Sequence, residues 1–68
     1  MKYNAKQFGI NLREMRKNRD ISQDQLALGA GIDRSYMGRI ERGQVNITLE
    51  KVYRLADALD CSVYDLLP

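Results

Sequence analysis

The segment 34–42 carries side chains that could form hydrogen bonds with the edges of nucleic-acid bases. At 100° per residue, one side of a helix formed by this segment holds Arg34, Ser35, Gly38, Arg39 and Arg42 and no acidic residue. The forked guanidinium group of an arginine fits the two acceptors on the major-groove edge of guanine, and a small residue such as Gly38 would let the helix backbone lie close to the bases. The alternative is that these arginines are ordinary solvated charges beside a core stripe.

Other kinds of chemistry lack the residues that they need. The 68 residues include no His, one Cys, no phosphate-binding glycine loop and no cluster of carboxylates. Neither a nucleophile–base pair nor the ligands of a structural zinc ion are therefore available, and we expect no enzyme, metal, cofactor or small-molecule ligand. A lone thiol, no export signal and no run of about 20 apolar residues predict a cytoplasmic protein that does not enter a membrane.

Charge is unevenly distributed along the chain. Residues 1–48 carry nine Lys and Arg against five Asp and Glu, whereas residues 49–68 carry two against four. The net charge of +2 therefore combines a basic first part with an acidic end. This pattern indicates that one side of the molecule meets a polyanion and that the other does not.

Apolar periodicity predicts an all-α fold, a compact bundle of five short helices that forms a single domain over residues 1–68. Four helices are expected at about 5–18, 22–30, 34–42 and 48–59, and a last short helix at 62–67. No stretch alternates with a period of two for long enough to form a strand.

The second and third of these helices carry the signals of a helix-turn-helix over about 22–42. Ser22 and Gln25 form a capping-box pattern, and Gly31 can adopt the positive φ that a helix C-cap needs. Asp33 is a suitable N-cap for the following helix. Two capped helices joined by a short turn with a glycine form the sequence pattern of this motif.

Short motifs are spaced along the chain from the first helix to its end: Phe8-Gly9, Leu12-Arg13, Met15-Arg16, Ile21-Ser22-Gln23, Leu26-Ala27, Gly31-Ile32, Ile40-Glu41-Arg42-Gly43, Leu55-Ala56, Leu59 and Leu66-Leu67. With these motifs the chain resembles the Cro/repressor-type helix-turn-helix family, the xenobiotic-response-element group. The resemblance covers nearly the whole chain. It implies the fold of a phage-repressor DNA-binding domain, and it is closest in kind to small stand-alone members such as restriction–modification controller proteins and prophage repressors.

The resemblance implies DNA-binding roles for nine residues. The positions that match base-reading residues are Arg34, Ser35 and Arg39. The positions that match phosphate-binding residues are Ser22, Gln23, Tyr36, Arg42, Gln44 and Asn46. Two of these roles have alternatives, since Gln23 could be a simple first-turn residue and the ring of Tyr36 could cover the edge of the core. Asp33 could accept a hydrogen bond from a cytosine amine, but its N-cap role is preferred.

The resemblance also implies a structural salt bridge between Arg16 of the first helix and Glu41 of the third. Both residues flank the apolar stripes of their helices, which agrees with such a pair.

A transcriptional regulator that binds a palindromic operator on double-stranded DNA as a homodimer is the function that the resemblance implies, including regulation of its own gene. The alternative is the antitoxin of a toxin–antitoxin pair, which binds its own operator and a toxin protein; a helical adaptor that binds only proteins is a third class. The acidic, apolar-rich end of the chain, about 59–68, is the expected dimerisation surface. We expect Cys61, Tyr64 and Leu67 at the interface, and Val63 and Leu66 in the core.

Overall fold

A computed structural model of the protein describes residues 4–68, so the first three residues of the predicted domain lie outside the described range. Four α-helices follow one another along the chain: α1 (Ala5–Asn18), α2 (Gln23–Ala30), α3 (Arg34–Glu41) and α4 (Leu49–Leu59). No residue between 4 and 68 lies in a strand, which confirms the all-α class. The described part of the chain contains no helix with the length and apolar character needed to span a bilayer.

The prediction of a fifth α-helix at 62–67 is wrong, because this segment forms a 3₁₀ turn at Val63–Asp65. Two backbone bonds of the i→i+3 type, from Asp65 N to Ser62 O and from Leu66 N to Val63 O, are both 3.0 Å long. One i→i+4 bond follows, from Leu67 N to Val63 O at 3.2 Å, and is not continued into an α-helix. The amide of Asn11 in α1 donates to the carbonyl oxygens of Leu66 and Leu67 at 3.2 Å. These carbonyls therefore have partners outside the segment and do not require a longer helix.

The helix ends follow the caps that the sequence predicts. Ser22 Oγ accepts from Gln25 N at 3.0 Å while Ser22 N donates to Gln25 Oε1 at 2.8 Å, which completes the capping box of α2. Gly31 ends α2 with φ +66°, a conformation that glycine adopts without strain. Asp33 accepts a hydrogen bond from Tyr36 N at 3.2 Å at the start of α3.

One cluster of apolar side chains lies between the helices. α2 packs against α4 and α3, and α1 packs against α3. The buried members within residues 4–68 are Phe8, Leu12, Leu26, Ala27, Ala30, Ile32, Met37, Ile40, Val52, Leu55, Ala56, Leu59 and Leu66. The cluster fixes the orientation of α3, because Met37 and Ile40 on its inner side are almost completely covered.

The backbones of α1 and α3 approach each other very closely at Gly9. A Cβ atom at this position would lie 2.5 Å from the carbonyl oxygen of Glu41 and 2.7 Å from that of Ile40. These distances are far shorter than a van der Waals contact, so only glycine fits here without a shift of one helix. The close approach places the end of α3 directly against α1.

Candidate nucleic-acid interface

The outer side of α3 presents all three predicted base-reading side chains to solvent. Arg34, Ser35 and Arg39 are all exposed, whereas Met37 and Ile40 on the opposite side are buried. The helix is therefore amphipathic in the sense that the sequence predicts. A row of hydrogen-bond donors on the exposed side of a helix can reach base edges in the major groove, which is wide enough to admit a helix.

Arg34 has a carboxylate partner that sequence analysis missed. Its Nε lies 2.9 Å from Oδ1 of Asp24, which belongs to the first turn of α2. The outer side of α3 carries no acid of its own, but the helix-turn-helix geometry brings this acid beside it. Both side chains are largely exposed, so the ion pair is weak and the guanidinium group can exchange it for another acceptor.

Gly38 is buried, contrary to its expected place on the outer side of α3. A Cβ atom here would lie 3.0 Å from Nη1 of Arg42 and 3.6 Å from Oε1 of Gln23. The glycine therefore makes room for these two side chains, which cross over α3 near its end. Its small size serves packing within the protein, and the long side chains above it cover its backbone.

Behind the end of α3, a polar network centred on Glu41 links three elements. Arg16 Nε lies 2.7 Å from Glu41 Oε2 and its Nη2 lies 3.1 Å from Oε1, so the predicted pair forms a two-point ion pair. Gln23 Nε2 also donates to Glu41 Oε1, at 3.1 Å, and Arg16 Nη1 donates to the carbonyl of Ile21 at 3.0 Å. The charged side chains are 12% and 5% exposed, so the network is mostly shielded from water.

The same network forms the floor of a small polar cleft of about 150 Å³. Its lining residues are Arg13, Arg16, Gln23, Gly38, Glu41 and Arg42. Two predicted phosphate-binding residues, Gln23 and Arg42, are thus brought together, and Arg13 joins them without having been predicted. The signal for Arg13 was its place three residues before Arg16 on α1, which puts both residues on neighbouring parts of one helix surface.

Three more of the predicted phosphate-binding residues, Gln44, Asn46 and Ser22, lie in three different surroundings. Gln44 accepts a hydrogen bond from Arg42 Nε at 3.3 Å and is thus linked to a residue that lines the polar cleft. Asn46 instead lies beside an apolar cavity with Ile47 and Leu49. Ser22 is exposed at the start of α2, where its hydroxyl group accepts the capping bond. The structure therefore does not bring Asn46 together with the other members of the set.

A third, open cavity of about 440 Å³ lies along α3 on the side of α4. Its lining residues are Gly31, Ile32, Asp33, Ser35, Tyr36, Arg39 and Lys51. The half-buried ring of Tyr36 packs against the core, and Lys51 Nζ lies 5.0 Å from its centroid. Tyr36 therefore covers the edge of the core and still borders an open cavity. The sequence pattern does not single out Lys51, because the periodicity of α4 gives no information on the distance of this residue from α3.

The end of the chain exposes two of its three predicted interface residues. Tyr64 is 85% exposed and Leu67 is 41% exposed, whereas Cys61 is half-buried against the core together with Val63. Burial raises the pKa of the Cys61 thiol, and the neighbouring carboxylate of Asp65 adds to this rise while Arg19 opposes it.

Further large apolar side chains are exposed outside the predicted interface. In the described part of the chain these are Ile10, Leu28, Leu49 and Tyr53. No three His, Cys, Asp or Glu side chains within residues 4–68 are grouped to hold a metal ion.

Comparisons with known proteins agree with this geometry. The HTH_3 helix-turn-helix family model matches residues 12–66. The control protein C.SmaI of Serratia marcescens is 44% identical over 57 residues, which are 84% of this chain and 68% of that protein. A hypothetical transcription factor of Neisseria meningitidis is 40% identical over 60 residues, and this chain spans only 57% of its length.

Among solved structures, the restriction–modification controller protein C.AhdI of Aeromonas hydrophila superimposes with a TM-score of 0.90 at 44% identity. The superposition covers 93% of this chain and 96% of C.AhdI, so it includes the four helices and the connections between them. The structure contains a helix-turn-helix, the family model matches most of the chain, and a controller protein shares the fold. The chain therefore belongs to the HTH_3 family of Cro/C1-type helix-turn-helix proteins.

Proposed function

We propose that this chain is a sequence-specific DNA-binding transcriptional regulator that inserts α3 into the major groove of its operator. The observation that carries the proposal is the exposed row of Arg34, Ser35 and Arg39 on a helix whose opposite side is held by the core and by the Glu41 network. Donors on a firmly packed helix can be presented to base edges in one fixed register. The relatives support this reading, since they carry the names of transcription regulators and controller proteins.

Phosphate contacts on either side of α3 would fix its position in the groove. Gln23 and Arg42 border the polar cleft at one end of α3, and Gln44 is bonded to Arg42. Tyr36 borders the open cavity on the α4 side. Ser22 and Asn46 complete the proposed set from the start of α2 and from the loop before α4. Such contacts position a protein on the duplex and carry no sequence information themselves.

The regulator is proposed to act as a homodimer on a palindromic operator, because one short helix reads only a few base pairs. Half-sites would then lie about one helical turn, ~34 Å, apart. The exposed side chains of Tyr64 and Leu67, with Cys61 beside them, are the proposed interface. Control of its own promoter is the proposed biological setting, in line with the controller proteins among the relatives. No observation favours the antitoxin alternative.

Selection of bound sequences from random duplexes tests the proposal and would define the operator. Arg39→Ala should then weaken binding to the selected operator by about 1–3 kcal/mol and relax the preference at one position in each half-site. Arg42→Ala serves as the comparison, since removal of a phosphate-binding group should weaken specific and non-specific binding alike. A selection that recovers no common sequence would contradict sequence-specific binding. Equal affinities of the parent and Arg39→Ala would remove Arg39 from the reading set.

A further inference from the structure

Lys51 is the cation of α4 that lies beside α3. It lines the open cavity of about 440 Å³ together with Ser35, Tyr36 and Arg39 of α3. Its ammonium nitrogen lies 5.0 Å from the centroid of the Tyr36 ring, within the range of a cation–π contact. This contact holds the ammonium group beside the exposed side of α3, so part of the cost in side-chain entropy is already met before a ligand binds.

Among the described residues, 4–68, the charge of Lys51 has no carboxylate partner. Within residues 4–68, no Asp or Glu oxygen lies within 4.0 Å of its nitrogen, whereas Arg54 on the same helix is paired with Glu50 at 3.5 Å. Asp33 also lines the cavity, but its carboxylate accepts the capping hydrogen bond from Tyr36 N. The charged side chains that line the cavity are thus two cations, Lys51 and Arg39, and one carboxylate, so its lining carries a net positive charge.

The position of Lys51 in α4 is unfavourable for a cation. Thr48 caps the helix by accepting from Lys51 N at 3.3 Å, so Lys51 is the third residue of the first turn. At this position a Glu or Gln completes a capping box, as Gln25 does in α2, and the positive end of the helix dipole disfavours a lysine. Lys51 is a cation without a carboxylate partner, at an unfavourable helix position, and it is held beside α3 by an aromatic ring. These features indicate that Lys51 binds an anion outside the chain.

We infer that Lys51 binds a DNA phosphate next to the major-groove segment that α3 reads, so that the interface extends from the helix-turn-helix to α4. This inference rests on the proposed function, because it takes the duplex to lie along the exposed side of α3. A lysine suits this task as a mobile point charge that contacts the backbone without reading a base. Together with the polar cleft around Gln23 and Arg42, it would place α3 between two phosphate contacts.

The salt dependence of DNA binding tests the inference on a random-sequence duplex of two helical turns. Lys51→Met removes the charge and keeps an unbranched side chain at this position. Since each phosphate contact contributes about 0.9 to the slope of log affinity against log salt, the slope should fall by about 0.9 for each bound protomer. At about 0.1 M salt this corresponds to roughly eightfold weaker binding for one protomer. Lys51→Arg should retain the slope of the parent.

Arg54→Met is the matched control, because it removes the same charge from the same helix at a residue that does not line the cavity beside α3. Its slope should stay at the parent value, and the melting temperatures of all variants establish that each is folded. Equal slopes for Lys51→Met and the parent, or equal losses in Lys51→Met and Arg54→Met, would overturn the inference while leaving the proposed function intact. A parent protein that shows no salt-dependent DNA binding would overturn both.

Discussion

Two arginine–carboxylate pairs flank α3, Arg16 with Glu41 on the side of α1 and Arg34 with Asp24 on the side of α2. The first pair has side chains 12% and 5% exposed and makes two hydrogen bonds, with a third partner in Gln23. The second has side chains 79% and 59% exposed and a single short contact. The same chemical groups therefore form a fixed brace where water is excluded and an exchangeable contact where water is present.

The difference in exposure between the two pairs explains how one short helix can be held rigidly and still offer side chains for binding. α3 has only eight residues, too few to be stable as an isolated helix, so its position depends on its packing. The Glu41 network and the close approach at Gly9 hold its end against α1. Arg34 and Arg39 on the other side have exposed guanidinium groups that can donate hydrogen bonds to a ligand. Changes to the brace should therefore act on stability, and changes to the exposed side should act on binding.

The largest effect is expected from Glu41→Ala. This change leaves the guanidinium group of Arg16 mostly buried without its partner and removes an acceptor from Gln23. Breaking one side of a buried ion pair costs about 3–5 kcal/mol, which is a large part of the stability of a small domain. Urea unfolding followed by circular dichroism measures the loss. The double variant Arg16→Met, Glu41→Leu should recover much of it, and an unchanged melting temperature in Glu41→Ala would mean that the pair contributes little.

Gly9→Ala should destabilise the protein by about 1–3 kcal/mol, because the new Cβ atom overlaps the carbonyl oxygens at the end of α3 and the helices must move apart. Gly29→Ala is the control within α2. Its Cβ atom would meet only the Cβ atom of Ala58, at an ordinary 3.5 Å. The control should gain about 0.5–1 kcal/mol from higher helix propensity. Thermal melts that show the same sign for both variants would contradict the close approach of α1 and α3.

Local signals in the sequence were sufficient for most of the fold. The capping residues Ser22, Asp33 and Thr48 and the glycine at 31 act within a few residues of themselves, so the four helix ranges could be predicted closely. The segment 62–67 could not, because its carbonyl partners come from Asn11, 55 residues earlier in the sequence for Leu66. A side chain so distant along the chain leaves no local trace.

In the candidate site, too, some features follow from local sequence signals and others depend on contacts between distant parts of the chain. The amphipathic pattern of α3 identifies its exposed arginines, whose outward direction depends on the helix alone. The position of Gly38 under Arg42, the approach of Asp24 to Arg34 and the place of Lys51 beside Tyr36 all depend on how two elements meet. Helical periodicity gives the direction of a side chain from its own axis but not its distance from another helix. These three features therefore required the structure.

The smallest effect on stability, and the sharpest test of the comparison, is expected from Asp24→Asn. The exposed pair with Arg34 contributes no more than about 1 kcal/mol, and Asp24 also favours the first turn of α2 by a few tenths, so the melting temperature should fall only slightly.

Binding should change in the opposite direction. The variant frees Arg34 and removes a negative charge from the surface that we propose to face DNA, so DNA affinity should rise by a few fold at low salt and by less as salt screens the charge. Arg34→Ala provides the reference background, in which Asp24→Asn should retain only the part of the gain that comes from reduced repulsion. A double-mutant cycle on the selected operator separates the two parts. A fall in affinity in Asp24→Asn would show that Asp24 positions Arg34 for binding, and the exposed pair would then be a second brace.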